Sequence, residues 1–211
     1  IGKRIGEMEG YPYMEYIAPG LVMMSVITNS YGNVVGSFFN AKIQGHIEEL
    51  LVSPLSEVFI VIGYLAGGII RGLAVGTVVT FIALFFTQIN IKYPLMTFFV
   101  VIMTAGVFSL AGLINAIFAR KFDDIAVIPS FVLAPLTYLG GVFYTVSLLP
   151  EFWQTISRLN PILYMINSMR YSVIGISDVS IQNALMMIVV FFIALFTIAV
   201  ILLRKGIGIR Q

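Results

Sequence analysis

The chain has 211 residues, of which 59% are hydrophobic and only 10% are charged, and its mean hydropathy is +1.01. Soluble globular proteins are roughly 45–50% apolar and about 25% charged, so this composition excludes a water-soluble globule. The 12 basic and 10 acidic side chains leave a net charge of +2 without a long basic run, which gives no sign of a nucleic-acid partner. Cysteine is absent and His46 is the only histidine, so we expect neither disulfides nor a cysteine- or histidine-based metal site.

Five apolar runs are each long enough to cross a hydrocarbon core of about 30 Å. They cover residues 17–39, 57–86, 95–118, 126–144 and 184–203. Backbone groups in lipid must be hydrogen-bonded internally, and the runs lack the alternation of barrel strands, so we predict α-helices. The expected fold is therefore an all-α polytopic membrane bundle with five transmembrane spans, formed as one domain by residues 1–211.

The basic residues after the last run suggest an orientation. Arg204, Lys205 and Arg210 follow it, and cytoplasmic loops carry an excess of Lys and Arg, so we expect a cytoplasmic C-terminus. Loops 40–56 and 119–125 are then cytoplasmic, whereas loops 87–94 and 145–183 are extracytoplasmic. Five spans leave residue 1 outside with no segment to take it there, so we expect a further span upstream.

The long extracytoplasmic loop predicts two short helices. After Pro150, apolar residues recur at three- and four-residue spacing, which is typical of an amphipathic helix at the interface, and Asn160 with Pro161 ends it. The residues at this spacing are Leu149, Phe152, Trp153, Ile156 and Leu159. The next stretch, 162–176, is too interrupted to span and too apolar for water, which favours a re-entrant or interfacial helix over a plain amphipathic anchor.

A polar stripe runs along the first apolar run. Its members are Ser25, Asn29, Asn33 and Ser37, spaced by four residues and so on one face of a helix. Lipid would penalise that face, so it must meet protein or water, as a packing face or a transport pathway. Arg71 is the only charge well inside a run, and either snorkels to the surface or faces a polar pathway. Gly68, Gly72 and Gly76 indicate close helix packing.

No catalytic constellation is present in the sequence. His46 and Glu49 belong to a segment that lacks the second histidine of a zinc peptidase, and no glycine-rich Walker sequence occurs. The acidic residues lie in loops or at the edges of the runs, not at membrane depth. We therefore expect a chain that is not an enzyme and has no ATP site of its own.

The sharpest feature of the cytoplasmic loop is a seven-residue helical pattern. Its residues are His46, Ile47, Glu48, Glu49, Leu50, Leu51 and Val52. Ile47, Leu50 and Leu51 share one side at helical spacing, which predicts a short exposed helix. Its apolar side either rests on the lipid surface or docks into a groove of a cytoplasmic partner, with Glu48 and Glu49 at the rim.

An ordered series of motifs along essentially the whole chain resembles the ABC-2-type transporter permease family, in its bacterial inner-membrane branch. The series is Ile47-Glu-Glu-Leu-Leu-Val-Ser-Pro54, Phe131-Val-Leu-Ala-Pro-Leu-Thr-Tyr-Leu-Gly-Gly-Val-Phe-Tyr144, Leu149-Pro150, Phe152-Trp153 and Asn160-Pro161 with Tyr164. Members of that family have six spans preceded by an amphipathic cytoplasmic helix. The resemblance places the start of this chain after the first span.

The resemblance implies a transmembrane subunit of an ATP-driven exporter. Two permease subunits would work with two separate ATPase subunits, and ATP and Mg²⁺ would bind to the ATPase, with no cofactor in this chain. Residues His46–Val52 match the family's coupling helix, which sits in a cleft of the ATPase. Residues 150–176 match its re-entrant helices, which close the outer mouth.

The resemblance leaves some questions open. The aromatic residues expected near the outer interface form either a gate or a membrane belt, and they are Phe143, Tyr144, Phe152 and Trp153. A secondary transporter or channel would need ionisable residues at the midplane or an inverted repeat, and the sequence has neither. A non-transporting scaffold has only the packing glycines in its favour. No residue pattern indicates the substrate.

Overall fold

The computed structural model describes residues 7–88 and 90–208. The side chain of Leu51 and the charged residue Arg210, both used in the sequence predictions, lie outside this description. In chain order the elements are strands β1 (Glu7–Met8) and β2 (Tyr11–Pro12) and helices α1 (Tyr13–Ile43), α2 (His46–Val52), α3 (Glu57–Leu84), α4 (Pro94–Phe118), α5 (Phe122–Leu139), α6 (Glu151–Leu159), α7 (Pro161–Ile174) and α8 (Ile181–Lys205). The two strands form a small antiparallel hairpin before α1.

Helix α1 lies at the centre of the bundle. Its 31 residues pack against α3, α4 and α7, and about half of them are buried. The buried side includes large residues such as Met23, Tyr31 and Phe38. Helices α3, α5 and α8 turn most of their apolar surface outward, as expected where lipid is the solvent, whereas α4 is mostly buried.

The helical membrane bundle predicted from the sequence is confirmed, but the number of five spans is not. Within the described residues, four helices are long and apolar enough to cross a membrane, namely α3, α4, α5 and α8. Helix α1 has the length, about 46 Å at 1.5 Å per residue, but it is not among them. Its polar residues, Asn29 and Asn33 among them, lower its hydropathy, and a helix at the centre of a bundle needs less apolar surface than one facing lipid.

Glycines on one side of α3 allow it to approach α1 and α4 closely. A Cβ added at Gly68 would lie 2.7 Å from Cγ2 of Val34, and one added at Gly72 would lie 3.2 Å from Cβ of Ala105. On α4, a Cβ at Gly112 would lie only 2.6 Å from the carbonyl oxygen of Tyr31. Small residues thus let the backbones of α1, α3 and α4 meet, as the glycine spacing predicts.

Helix α5 ends earlier than the sequence predicts. The apolar run extends to Tyr144, but the helix stops at Leu139, because Gly140 caps it and Gly141 has a left-handed φ of +77°. Residues Pro129–Leu133 form one π-helical segment inside it. Hydrophobicity alone does not predict this helix end, since the residues after Gly141 are as apolar as those before it.

Replacement of Gly112 by alanine should destabilise the bundle. The added methyl group meets the backbone of Tyr31, which cannot rotate away as a side chain could, so α1 and α4 must separate. We expect the free energy of unfolding to fall by about 1–3 kcal/mol. Thermal unfolding of the purified protein in detergent measures this change.

Gly63→Ala is the matched control, because a Cβ at Gly63 meets no atom within 4 Å. It should leave stability unchanged or raise it slightly, since alanine favours helix. Equal melting temperatures for Gly112→Ala and Gly63→Ala would show that the close approach of α1 and α4 is not needed for stability.

Candidate functional site

Helix α2 forms where the sequence predicts it, directly after α1. Gly45 makes the turn between the two helices with a left-handed φ of +77°, a conformation that glycine adopts without strain. Ile47 is 1% exposed and belongs to the core of the bundle, and Leu50 is half-buried. The apolar side of α2 therefore packs on the chain's own helices, which neither of the two sequence-based alternatives included.

The opposite side of α2 is polar and exposed. Glu48 and Glu49 are exposed, His46 is exposed beside them, and Val52 is 88% exposed at the end of the helix. The buried Ile47 fixes which way this surface faces. The residues of α2 thus divide into an anchor on the bundle, Ile47, and an exposed surface. We call this exposed surface, formed by His46, Glu48, Glu49 and Val52, the acidic face.

The base of α2 is tied to the end of α4. Nζ of Lys42, at the end of α1, donates hydrogen bonds to the carbonyl oxygens of Ile117 and Ala119 at 2.6 and 2.9 Å. These are the free carbonyls at the C-terminus of α4, where a cation is also favoured by the helix dipole. Displacement of α2 and the end of α1 would therefore act on α4.

The polar stripe of α1 lies on the side of the helix that the described residues leave uncovered. Ser37 is exposed, whereas Ser25, Asn29 and Asn33 are half-buried. The hydroxyl of Ser25 and the amide of Asn29 donate hydrogen bonds to carbonyl oxygens one turn earlier in α1, at 3.0 Å each. These bonds reduce the cost of the side chains in an apolar medium but leave acceptor atoms free for a partner or for water.

The stripe continues onto α3. Oδ1 of Asn33 lies 3.7 Å from the position of a Cβ added at Gly67, and Arg71 is exposed one helical turn further along α3. The two polar features that the sequence singles out therefore belong to neighbouring helices.

Helices α6 and α7 lie at the end of the bundle opposite α2. Pro150 precedes the first residue of α6, and Pro161 is the first residue of α7. Between the two helices the side chain of Asn160 caps α7 through the backbone N–H of Ile162 at 3.0 Å, and its Nδ2 donates to the carbonyl oxygen of Leu136 in α5 at 2.6 Å. The predicted break at 160–161 is therefore also the attachment to α5.

Tyr164 strengthens the same corner, since its hydroxyl donates to the carbonyl oxygen of Arg158 at 2.7 Å.

Three of the predicted aromatic residues belong to two separate aromatic pairs. Phe152 and Trp153 are exposed and meet edge to face at 5.5 Å between ring centroids, whereas Phe143 stacks on Tyr138 of α5 at 6.0 Å.

Tyr144 is half-buried in the loop after α5, and burial raises the pKa of its hydroxyl, so this group stays protonated at neutral pH.

A buried arginine within the stretch 162–176 connects these parts. Arg170 of α7 is 0% exposed. Its Nη2 donates to the carbonyl oxygen of Gly141 at 2.5 Å, and its guanidinium lies over the ring of Tyr16 at 4.1 Å from the centroid. One side chain thus connects α7, the end of α5 and the start of α1.

Asp178 supplies the counter-charge. Its Oδ2 lies 3.7 Å from Nη1 of Arg170 and accepts a hydrogen bond from the backbone N–H of Val146 at 3.3 Å. The backbone N–H of Asp178 in turn donates to Oδ1 of Asn167 at 2.8 Å. The signal in the sequence was a single arginine inside the otherwise apolar stretch 162–176, since a charge at such a place needs a partner.

Known proteins are similar to this sequence over most or all of its length. A family model described as ABC-2 type transporter matches residues 2–174. The inner membrane transport permease YadH of Escherichia coli (strain K12) is 52% identical over 211 residues, which are 100% of this chain and 82% of that protein. Nodulation protein J of Sinorhizobium fredii (strain NBRC 101917 / NGR234) is 26% identical over 171 residues, covering 81% of this chain and 65% of that protein. The nodulation protein J of Rhizobium leguminosarum bv. viciae is 21% identical over 206 residues, covering 97% and 80%.

Asp178→Asn should destabilise the closed end of the bundle. The amide still accepts a hydrogen bond from Val146, but the buried guanidinium of Arg170 loses its counter-charge. We expect a loss of about 2 kcal/mol, less than for a fully buried pair because Asp178 is partly exposed. Chemical or thermal unfolding of the purified protein in detergent provides the measurement.

The double variant Arg170→Met with Asp178→Asn removes both charges and should lose less stability than the sum of the two single variants. Glu151→Gln, an exposed acid in the first turn of α6, serves as the control and should have no effect. Strictly additive losses would contradict a coupled pair.

Proposed function

Because the chain belongs to the ABC-2 type transporter family, which confirms the family predicted from its motifs, we propose that its helix α2 couples it to a separate ATPase subunit. The chain is the permease subunit of an ATP-binding cassette transporter in the bacterial inner membrane and is not itself an enzyme. The observation that carries the proposal is the division of α2 into a buried anchor, Ile47, and an exposed acidic face.

A short lever needs both of these parts. The anchor transfers force to the bundle, and the exposed face is free to enter a groove of the partner. Glu48 and Glu49 then require cations in that groove. Such charge pairs fix the position of α2 in the groove more than they increase the affinity. Lys42 extends the path of force to α4 through its two carbonyl contacts. Closure of the ATPase would in this way shift the bundle between two packings.

ATP and Mg²⁺ belong, in this proposal, to the ATPase. The permease sequence has no glycine-rich Walker motif that could cradle the phosphates. Within the described part of the chain, no three carboxylate, histidine or cysteine side chains are grouped so that they could hold a metal ion. Hydrolysis therefore takes place outside the membrane bundle, and its energy arrives through α2.

We place the substrate pathway along the polar stripe of α1. Ser25, Asn29, Asn33 and Ser37 lie on the uncovered side of the most central helix, and lipid is a poor solvent for them. A second copy of the permease facing this side would give a polar space between two α1 helices. Arg71 of α3 would then lie at its margin, and the bundle would work as a homodimer.

The two short helices α6 and α7 close this space at the end away from α2. Arg170 and Asn160 connect them to α1 and α5, so an opening of this end would have to move all four elements together. Phe152 and Trp153 of α6 are exposed to the surroundings of the bundle, which favours a membrane belt for this pair. Phe143, stacked on α5, is better placed for a role in the gate.

The orientation follows from charge. The cations at the α2 end of the described bundle are Lys42, Arg120, Lys121, Arg204 and Lys205. A cytoplasmic location for this end satisfies the preference of Lys and Arg for the cytoplasm and places α2 where ATP is present. The C-terminal end of α8 is then cytoplasmic too.

Charge reversal of the acidic face should uncouple the ATPase. In Glu48→Arg with Glu49→Arg, cations of the partner's groove would meet like charges, which costs enough to reduce binding by about tenfold or more. The measurement is co-purification of the ATPase subunit with the full-length permease, together with ATP hydrolysis in liposomes. The permease itself should still fold, because both side chains are exposed.

Asp123→Arg is the matched control, since it reverses an exposed acid at the same end of the bundle but outside α2. It should retain the ATPase as the unmodified permease does. Normal ATPase binding and ATP-coupled transport in the Glu48→Arg, Glu49→Arg variant would show that α2 is not the coupling element.

The absence of cysteine from the sequence allows a direct test of the pathway and the orientation. Maleimides react with thiolates, which form in water and not in hydrocarbon. Asn33→Cys on the polar stripe should react, whereas Val78→Cys on the exposed apolar side of α3 should not. An impermeant maleimide should label Glu151→Cys in intact cells and Glu49→Cys only in inverted vesicles.

Oxidation of Asn33→Cys should also give a cross-linked dimer if two α1 helices face each other. Labelling of Glu49→Cys from outside intact cells would reverse the orientation. Equal labelling of Asn33→Cys and Val78→Cys would refute an aqueous pathway along the stripe.

A further inference from the structure

An apolar cavity of about 350 Å³ lies between α3 and α4, at the end of the bundle away from α2. Val22 of α1 and Met169 of α7 form its inner wall. Along α3 it extends from Leu73 to Leu84, a rise of about 16 Å at 1.5 Å per residue. This is about half of a hydrocarbon core of roughly 30 Å, the depth of one leaflet.

The apolar cavity leads into a polar one. A small cavity shares Thr80, Thr97 and Met169 with it and reaches Val173 and Ile91. The same Val173 and Ile91 line a polar cavity of about 550 Å³. Its polar side chains come from the hairpin, α1 and the α3–α4 loop, and are Tyr11, Glu15, Gln88, Asn90 and Lys92. An apolar slot one leaflet deep therefore ends in a polar chamber.

Lys92 is held in this chamber by its backbone. Its N–H donates to the carbonyl oxygen of Val173 at 3.1 Å, and the N–H of Tyr93 donates to that of Ser172 at 2.8 Å. The side chain lies over Gly175, where an added Cβ would be 2.8 Å from Nζ. The ammonium group thus has a defined place beside the end of α7.

The described residues that line the chamber include one cation, Lys92, and one anion, Glu15, which are not paired with each other. Among residues 7–88 and 90–208 the structure has a single ion pair, that of Arg170 with Asp178. Lys92 is exposed and Glu15 is half-buried, so both can still take a ligand. Two opposite charges in one chamber suit a zwitterion better than a simple anion, which Glu15 would repel.

We propose that this combined space binds a phospholipid with a primary amine in its headgroup, a phosphatidylethanolamine. An acyl chain lies in the slot between α3 and α4, the phosphate accepts hydrogen bonds from Lys92, and the ammonium group donates to Glu15. The slot opens toward the surroundings of a bundle that spans the membrane, so the ligand enters from the bilayer itself. This site is separate from the acidic face of α2 and from the polar stripe of α1, and it does not depend on the function proposed for either.

Native mass spectrometry of the detergent-purified full-length permease tests the proposal. The probes are phosphatidylethanolamine, phosphatidylglycerol and phosphatidylcholine with identical acyl chains. We expect phosphatidylethanolamine to bind about tenfold more tightly than phosphatidylglycerol, because only the former contributes an amine hydrogen bond to a charged partner. Glycerophosphoethanolamine, which has the headgroup without acyl chains, should not displace it.

Variants separate the three contacts. Lys92→Glu should weaken binding of phosphatidylethanolamine about tenfold, and Glu15→Gln should abolish its advantage over phosphatidylglycerol. Thr77→Trp, which fills the slot from its exposed rim, should weaken binding of all three lipids. Arg158→Glu reverses an exposed cation at the same end of the bundle, outside both cavities, and should change nothing.

The proposal fails if the unmodified permease binds phosphatidylglycerol as tightly as phosphatidylethanolamine, or if Lys92→Glu behaves like Arg158→Glu. Effective competition by glycerophosphoethanolamine would show that the apolar slot does not contribute to binding. None of these measurements involves ATP or transport, so their outcome does not depend on whether α2 couples the permease to the ATPase.

Discussion

The close approach of α1 to α3 and α4 is the contact on which the rest of the structure depends. Lipid does not drive apolar helices together, so van der Waals contact between their backbones must do so. Gly72 and Gly112 let this contact form on one side of α1. With that side fixed, the other side carries the polar residues, and the two ends of α1 position α2 and the α6–α7 pair.

Much of this architecture could be predicted from the sequence. The four helices α3, α4, α5 and α8 follow from uninterrupted hydrophobicity, and α2 follows from helical spacing and its proline stop. Helix α1 shows the limit of that reasoning. A central helix can carry polar residues, and hydropathy does not distinguish such a helix from one that is too polar to span the membrane. The end of α5 at Leu139 was missed because backbone conformation at Gly141, not a change in polarity, ends the helix.

Local structure around the candidate site could be predicted where the residues are adjacent in sequence, but contacts between distant residues could not. The corner at Asn160, Pro161 and Tyr164 was found because its signals lie within five residues. The contacts of Arg170 join α7 to Tyr16, far away in sequence, and no local pattern encodes them. The same holds for the chamber around Lys92, whose members come from three separate segments. Helical spacing predicted helix α2, but the structure was needed to show which of its sides is buried.

The π-helical segment Pro129–Leu133 has a geometric consequence for α5. A π turn holds one residue more than an α turn, so everything after it is rotated by about 100° about the helix axis relative to an uninterrupted helix. Tyr138, which stacks on Phe143, owes its direction to that extra residue. Few side chains of α5 are buried, so the helix is held mainly at its ends. Leu136, whose carbonyl oxygen accepts a hydrogen bond from Asn160, also lies beyond the π turn, so the attachment of α5 to the start of α7 depends on the same extra residue.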